Sequence, residues 1–409
     1  MNQKVAWQVV EKIMRTSALF GTALLITNSL GFMSFGDYSF LLNNFLIAIA
    51  LANFGTSNFV ASEASCVDVS DSLVLGTFLS LRFTLSLFTS VCALTAIIVS
   101  DYALTYMFAL LIFAILLSTL DVFENYNIGK DRYVGNLKIK CFVIAIGVTF
   151  RIYCSIYDYT WEAYLIIYLA EYILTLLIIA ISVMLQSNIR LTLSKAYISK
   201  NLPKILALSV TSILALLTLR IDQYVLVSLF SKEELGRYNL IFSIINVTTF
   251  FPLIVFYIKL PLLSKSKNIA LLQKDEHVST VKNFILAGAV GCLAAITLSS
   301  AAIVYYDLPD YYWVIVLVSS FLPLVTASAL YQAILIVVYN YQILGLQKVA
   351  LSFATALLLS FYLANTLGVA GIPLGITLAL LTAEIFFYYN IDYRLTDNLL
   401  ATLGKSNVN

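Results

Sequence analysis

Hydrophobic residues in this chain come in long blocks. They neither alternate, as in a half-buried strand, nor form the narrow stripe of a soluble amphipathic helix. Each block is near the ~20 residues that a helix needs to cross hydrocarbon. Six fall in the first half: Ile13–Met33, Tyr38–Val60, Leu73–Val99, Tyr102–Leu120, Gly135–Ile156 and Trp161–Leu185. Six follow in the second: Leu202–Phe230, Tyr238–Leu263, Phe284–Tyr306, Tyr311–Val338, Leu344–Asn365 and Gly368–Ile391. The polar stretch Gln186–Lys204 separates them. The pattern predicts an all-α polytopic membrane protein. Its expected organisation is one six-helix bundle over residues 1–186, a linker over 187–204 and a second six-helix bundle over 205–409.

Composition agrees. Hydrophobic residues make up 61% of the chain and charged residues 11%, against about 25% charged in a soluble domain. So few charges cannot cover a water-facing surface. The net charge of +2 gives no electrostatic case for a nucleic-acid partner. The odd set of cysteines (Cys66, Cys92, Cys141, Cys154, Cys292) lies mostly in apolar blocks and reads as small hydrophobes. The opening MNQKVAWQVVEKIMR lacks a small-residue cleavage site, so the first block is expected to remain as a helix.

Of the 24 Lys and Arg residues, 19 fall at the two termini or in loops after the fourth, sixth, eighth and tenth blocks. Lys138, Lys140 and Lys348 belong to that set, while Arg151, Lys232 and Arg237 fall on the opposite side. By the positive-inside rule both termini are expected in the cytoplasm, which for a bacterial chain means an inner-membrane protein. The acidic loop Ala61–Ser72 dissents, but acids contribute little to this rule. Opposite loops are short and flanked by Tyr157, Tyr159, Trp161, Tyr311, Tyr312 and Trp313, rings that favour the bilayer interface.

One short motif recurs. Phe35-Gly36-Asp37-Tyr38 stands before the second block, and Leu235-Gly236-Arg237-Tyr238 stands before the eighth. The matched places suggest a duplicated six-helix unit, two copies of which would enclose a central cavity. A Gly-x-Tyr turn is also simply a good helix connector. Pro252 and Pro323 fall within blocks of the second half and are expected to kink them.

Charges inside the blocks are few: Arg82, Glu171, Arg220, Asp222 and Glu384. Such residues usually face a bundle interior or a wet cavity. Arg220 and Asp222, two residues apart, point to nearly opposite sides of a helix and cannot pair with each other. Arg220 either holds an anion such as a diphosphate through its planar fork of donors, or pairs with an acid such as Glu171 or Glu384. Arg82 is a second candidate for the anion. Asp222, Glu171 and Glu384 are candidates for ion coupling, because low-dielectric surroundings disfavour the charged carboxylate and equip it to exchange a proton. Amides and hydroxyls recur at Thr27, Asn28, Asn43, Asn44, Asn53, Asn239, Asn246 and Thr248. As a set they suit a sugar; singly each also suits an interhelical hydrogen bond. From these, Asn28, Asn44 and Asn246 join Arg220 and Arg82 as the candidate substrate contacts. No GxxxxGK[ST] loop occurs, and the lone His277 sits beside Asp275 and Glu276, so no metal or hydrolytic constellation can be assembled.

The segment Leu30–Ser65, then Arg220-Ile221-Asp222 with Gly236-Arg237-Tyr238, then Gly368-Val369-Ala370-Gly371-Ile372-Pro373, together resemble the O-antigen flippases of the polysaccharide transporter family. That family lies in the MOP superfamily with the multidrug exporters of the MATE type. The resemblance implies paired six-helix bundles around a cationic cavity, alternating access, and no cofactor. It implies a substrate of undecaprenyl-diphosphate bearing an oligosaccharide, coupling to a proton or sodium gradient, and lipid as surroundings. A polysaccharide polymerase and a chain-length regulator would be its neighbours in the pathway. Two rivals stand beside it: a cation-coupled drug exporter of the same fold, and a membrane polysaccharide polymerase, which the short outer loops disfavour.

Overall fold

The computed structural model describes residues 3–65, 70–99, 106–186, 192–256, 274–339 and 342–406. Cys66, Arg190, Lys259, Pro261, Lys265, Lys267 and part of the acidic 61–72 loop lie outside these residues, as does the side chain of His277. Everything described is helix or connector, with no strand among the described residues.

Hydrocarbon dictates this. A backbone that cannot reach water must satisfy its own hydrogen bonds, and a helix does so within one segment. The helices are α1 (Gln3–Asn53), α2 (Ser57–Ser65), α3 (Asp71–Val99), α4 (Tyr106–Leu117), α5 (Asp121–Gly129), α6 (Tyr133–Ile156), α7 (Trp161–Gln186) and α8 (Lys195–Thr218). There follow α9 (Ile221–Leu229), α10 (Lys232–Thr248), α11 (Lys274–Tyr305), α12 (Tyr312–Ser319), α13 (Leu322–Tyr339), α14 (Gln342–Leu367) and α15 (Gly371–Ser406).

Among the described residues, nine helical stretches are long and apolar enough to cross a membrane. The pair Ser209–Thr218 and Ile221–Leu229, bent by 43°, forms a tenth. Two of the nine, Val9–Asn53 and Ile343–Asn390, run 45 and 48 residues. At 1.5 Å per residue each is roughly 70 Å long, over twice the ~30 Å of hydrocarbon. Both are broken midway. Gly31 takes a left-handed φ of 81° inside α1, and a short 3-10 turn at Gly368–Ala370 separates α14 from α15. Counted as two crossings each, these bring the total to the expected twelve.

The chain divides into two compact units, residues 1–250 and 251–409. In the first, a core of Phe59, Leu75, Phe78, Phe123, Ile179 and Val183 ties α2, α3, α5 and α7 together. In the second, α14 packs along α15, and α11 packs on α13 through Phe284 and Ala327.

Along α3 the polar residues turn inward and large apolar ones outward. On α3, Thr77, Arg82, Ser86 and Ser90 are buried, while Phe83, Leu87, Phe88 and Val91 face out. A soluble helix distributes these residues the other way round. An outer face of this kind belongs in lipid.

Three sequence expectations need correction. The Gly-x-Tyr motifs are not turns. The turn is at Gly31, and both Gly36 and Gly236 lie within helices. Arg151 is not in an outer loop but buried in α6, and Lys348 is not in an inner loop but in α14. Each of these two cations has found a carboxylate inside the bundle, which lowers the cost of its burial. Pro252 and Pro323 do mark breaks: one follows the turn at Thr249, the other the break at Ser320–Phe321.

Candidate functional site

The repeat motif builds the site. The second half of α1 and α10 pack face to face within the first unit. Their closest approach is at the paired glycines, where a Cβ on Gly36 would lie 3.2 Å from the Gly236 backbone nitrogen. A side chain at either position would meet the backbone of the other helix. The crossing is reinforced by an ion pair from Lys232 to Asp37 at 2.7 Å, and Arg237 lies over the Phe32 ring at 5.6 Å.

Below the glycines the two helices present equivalent faces. Phe35, Tyr38, Ser39, Leu42, Asn43 and Leu46 line a cavity of about 150 Å³, and Asn239, Phe242, Ser243 and Asn246 line it from α10. Ser39 and Asn239 stand 200 residues apart in the chain and are joined by a 2.7 Å hydrogen bond. The register of the motif therefore continues down both helices, Asn43 matching Ser243 and Leu46 matching Asn246.

Three donors run in one direction here. Gln223 Nε2 donates to Asn239 Oδ1 at 3.2 Å, Asn239 Nδ2 donates to Ser39 Oγ at 2.7 Å, and Ser39 Oγ donates to the Gly36 carbonyl at 3.0 Å. The chain fixes the faces of α1, α9 and α10 relative to one another.

Arg220 enters this cavity from the break between α8 and α9, where it is the residue before the first turn of α9. Gln223, three positions on, faces the same cavity. Among the described residues no carboxylate lies within ion-pair distance of Arg220. Its Nε is buried without a hydrogen-bond partner. Asp222 is fully buried and does not line the cavity; it accepts the Gln223 backbone N–H at 2.8 Å, faces Tyr238, and is the acid whose charge acts most on Arg220, although the two are not within ion-pair distance. Neither acid suggested as a partner for Arg220 is available. Glu171 pairs with Arg151 at 2.8 Å, and Glu384 pairs with Lys348 at 2.6 Å in the other unit.

The remaining candidates go elsewhere. Asn246 lines the cavity with Arg220. Asn44 does not; its amide donates to the Phe40 carbonyl at 2.9 Å and accepts from Tyr224 at 2.8 Å, and Asn43 takes the cavity position. Asn28 is exposed on α1. Arg82 is fully buried with its donors occupied: Thr56 Oγ1 at 2.8 Å, Ser57 Oγ at 3.1 Å and Asp121 at 3.4 Å. It lines none of the cavity around Arg220.

A second cavity of about 140 Å³ adjoins through Tyr168, which lines both. Glu11, Arg15, Glu124, Lys140 and Glu171 surround it. Here the charges are matched: Arg15 with Glu11, Lys140 with Glu124, Arg151 with Glu171. Glu171 reaches in over Gly147, whose missing side chain leaves the room.

Sequence reasoning did not select Tyr168, Gln223 or Ser243, and it named Asn239 only within the set of amides and hydroxyls. A signal was present for Ser243 and Asn239. Asn239, Ser243 and Asn246 follow the i, i+4, i+7 spacing of one helix face.

No protein-family model matches the sequence, and no curated protein matches it. Solved structures do. An outward-facing multidrug resistance MATE transporter of the MOP superfamily aligns over 96% of this chain and 95% of its own, with TM-score 0.67 and 16% identity. The lipid II flippase MurJ, in an inward closed conformation, aligns over 95% of this chain and 87% of its own, with TM-score 0.67 and 13% identity. A MOP superfamily transporter from Pyrococcus furiosus, described as having a binding pocket of reverse polarity, aligns over 96% and 95%, with TM-score 0.66 and 12% identity. The fold is that of the MOP superfamily transporters. The chain is a multi-pass membrane protein of that architecture.

Proposed function

We propose that this protein is a flippase that carries an undecaprenyl-diphosphate-linked oligosaccharide, an O-antigen or related surface-polysaccharide unit, across the bacterial inner membrane. The observation that carries the reading is Arg220. A guanidinium with no carboxylate within ion-pair distance, beside Gln223, Asn239 and Asn246, suits a phosphate group joined to a sugar. A drug exporter for cations favours uncompensated acids lining the cavity; here the lining charge is Arg220, the acids of the adjoining cavity are all paired with bases, and Asp222 is buried off the lining. The likeness to a lipid II flippase supports a lipid-linked cargo at the level of fold.

In this reading the chain is not an enzyme and works by alternating access of two six-helix halves, with both termini in the cytoplasm. Arg220, with Asn246, contacts the head group. Asp222, Glu171 and Glu384 are the candidates for a coupling ion. Arg82 and Asn44 support the helices that carry the site rather than the cargo. A polymerase and a chain-length regulator would take the cargo on the far side.

The test is the sidedness of lipid-linked oligosaccharide in a deletion strain, read with a probe that cannot cross the inner membrane. Accumulation on the cytoplasmic face is expected, and Arg220→Ala should reproduce it while the protein still accumulates. Accumulation on the outer face would place the lost step after translocation and overturn the reading. Drug sensitivity with intact polysaccharide would favour the exporter.

A further inference from the structure

The second cavity, which meets the Arg220 cavity at Tyr168, plays no part in holding the phosphate. Four helices of the first unit build it. Glu11 and Arg15 come from α1, Glu124 from α5 and Lys140 from α6. Along α7 the lining residues Tyr168, Glu171, Tyr172 and Thr175 follow the i, i+3, i+4, i+7 spacing of one helix face.

Its charges cancel locally. Arg15 Nε donates to Glu11 Oε1 at 2.9 Å, Lys140 Nζ to Glu124 Oε1, and Arg151 Nη2 to Glu171 Oε2 at 2.8 Å. Each pair engages one oxygen of its carboxylate and leaves the second able to accept another donor. Glu171 Oε1 is buried with no hydrogen-bond partner. Lys12 lies near Arg15 and Lys140 but off the lining. The Tyr168 and Tyr172 rings each stand at 90° to Phe45, with centroids 6.4 and 5.6 Å from it.

Such a lining sorts ligands by charge. An anion entering it meets three carboxylates, and among the described residues each lining base already holds an acid. A cation meets a base beside every acid. A neutral group with several hydroxyls meets neither obstacle. Its hydroxyls donate to the unused carboxylate oxygens and accept from Thr175, and its C–H surface lies against the tyrosine rings. At about 140 Å³ the cavity is well below the ~300–1,000 Å³ of a drug-sized pocket, which limits it to a single sugar ring.

We propose that this cavity is a subsite for one neutral sugar, the residue joined directly to the diphosphate of the cargo. Tyr168 borders both cavities, so a phosphate at Arg220 has its own sugar within reach of the second. The proposal rests on the flippase reading and adds to it a selection for the first sugar. Glu171 keeps its ion pair with Arg151 in this role and offers the sugar only its second oxygen.

Purified full-length protein is titrated calorimetrically with citronellyl diphosphate, bare or carrying glucose, galactose, N-acetylglucosamine or glucuronic acid. Wild type should bind at least one neutral-sugar conjugate about tenfold or more tighter than the bare diphosphate. The glucuronic acid conjugate should bind no tighter than the bare one, because its carboxylate enters among carboxylates. Ile144→Trp and Thr175→Trp fill the cavity from two helices without touching a charge. Either should return the neutral conjugate to the affinity of the bare diphosphate, whose own binding stays unchanged. If neither variant folds, the wild-type comparison of neutral and acidic conjugates decides alone. A bare diphosphate that binds, with no gain from any neutral sugar, would overturn the subsite and leave the Arg220 reading standing. An equal gain from glucuronic acid, or a gain that survives both substitutions, would put the sugar elsewhere and overturn it too. No binding of any probe would overturn the Arg220 reading and the subsite with it.

Discussion

Asn239 Nδ2 donates a 2.7 Å hydrogen bond to Ser39 Oγ, joining residues 200 positions apart in the chain. The bond depends on the glycine pair above it, because only there can the two backbones approach so closely. Gly236→Leu is therefore expected to force α1 and α10 apart. Overpacking of this kind costs about 1–3 kcal/mol, read as a lower Tm in detergent. Gly135→Ala, with open space around it, should leave Tm unchanged or raise it, since alanine favours a helix by up to ~1 kcal/mol over glycine. Equal losses from both variants would remove the close crossing as the reason.

Arg82 and Arg220 should separate by phenotype. Arg82 holds Thr56, Ser57 and Asp121 from a position with no solvent exposure. Breaking a buried pair from one side costs about 3–5 kcal/mol. Arg82→Ala should thus reduce the amount of folded protein in the membrane. Arg220→Ala removes no ion pair and should leave that amount near wild type. Quantitative immunoblots of membrane fractions check both.

The shape of the Arg220 guanidinium matters as well as its charge. Lysine keeps the charge but loses the planar fork that grips two phosphate oxygens. Arg220→Lys is expected to lower transport by about tenfold or more, corresponding to ~1.4 kcal/mol. Full activity of the lysine variant in a vesicle flipping assay would reduce the role of Arg220 to charge alone.

Arg151 and Glu171 should behave as one unit. Each single alanine substitution leaves a charge stranded in the bundle, and the double removes both. A double-mutant cycle on Tm should show a coupling of about 0.5–3 kcal/mol, the double variant being more stable than the sum of the singles predicts. Additivity would mean that the 2.8 Å contact contributes nothing.

The apolar blocks by themselves determined that this is an all-helical membrane protein of about twelve crossings. Hydrocarbon leaves a long apolar segment no other way to satisfy its backbone. The repeated glycine motif was also legible, and so was Arg220 as one of the few charges inside the apolar blocks. The role of the glycines was not legible, because a helix-packing glycine and a turn glycine look alike in one dimension. Nor was the pairing of the buried charges. Arg82 with Asp121, Arg151 with Glu171 and Lys348 with Glu384 are 39, 20 and 36 residues apart. Helical periodicity relates only residues three or four apart, so these partners depend on how each helix is rotated against the next. Tertiary packing made those matches, and by taking up both acids it left the guanidinium of Arg220 facing a cavity with no carboxylate within ion-pair distance.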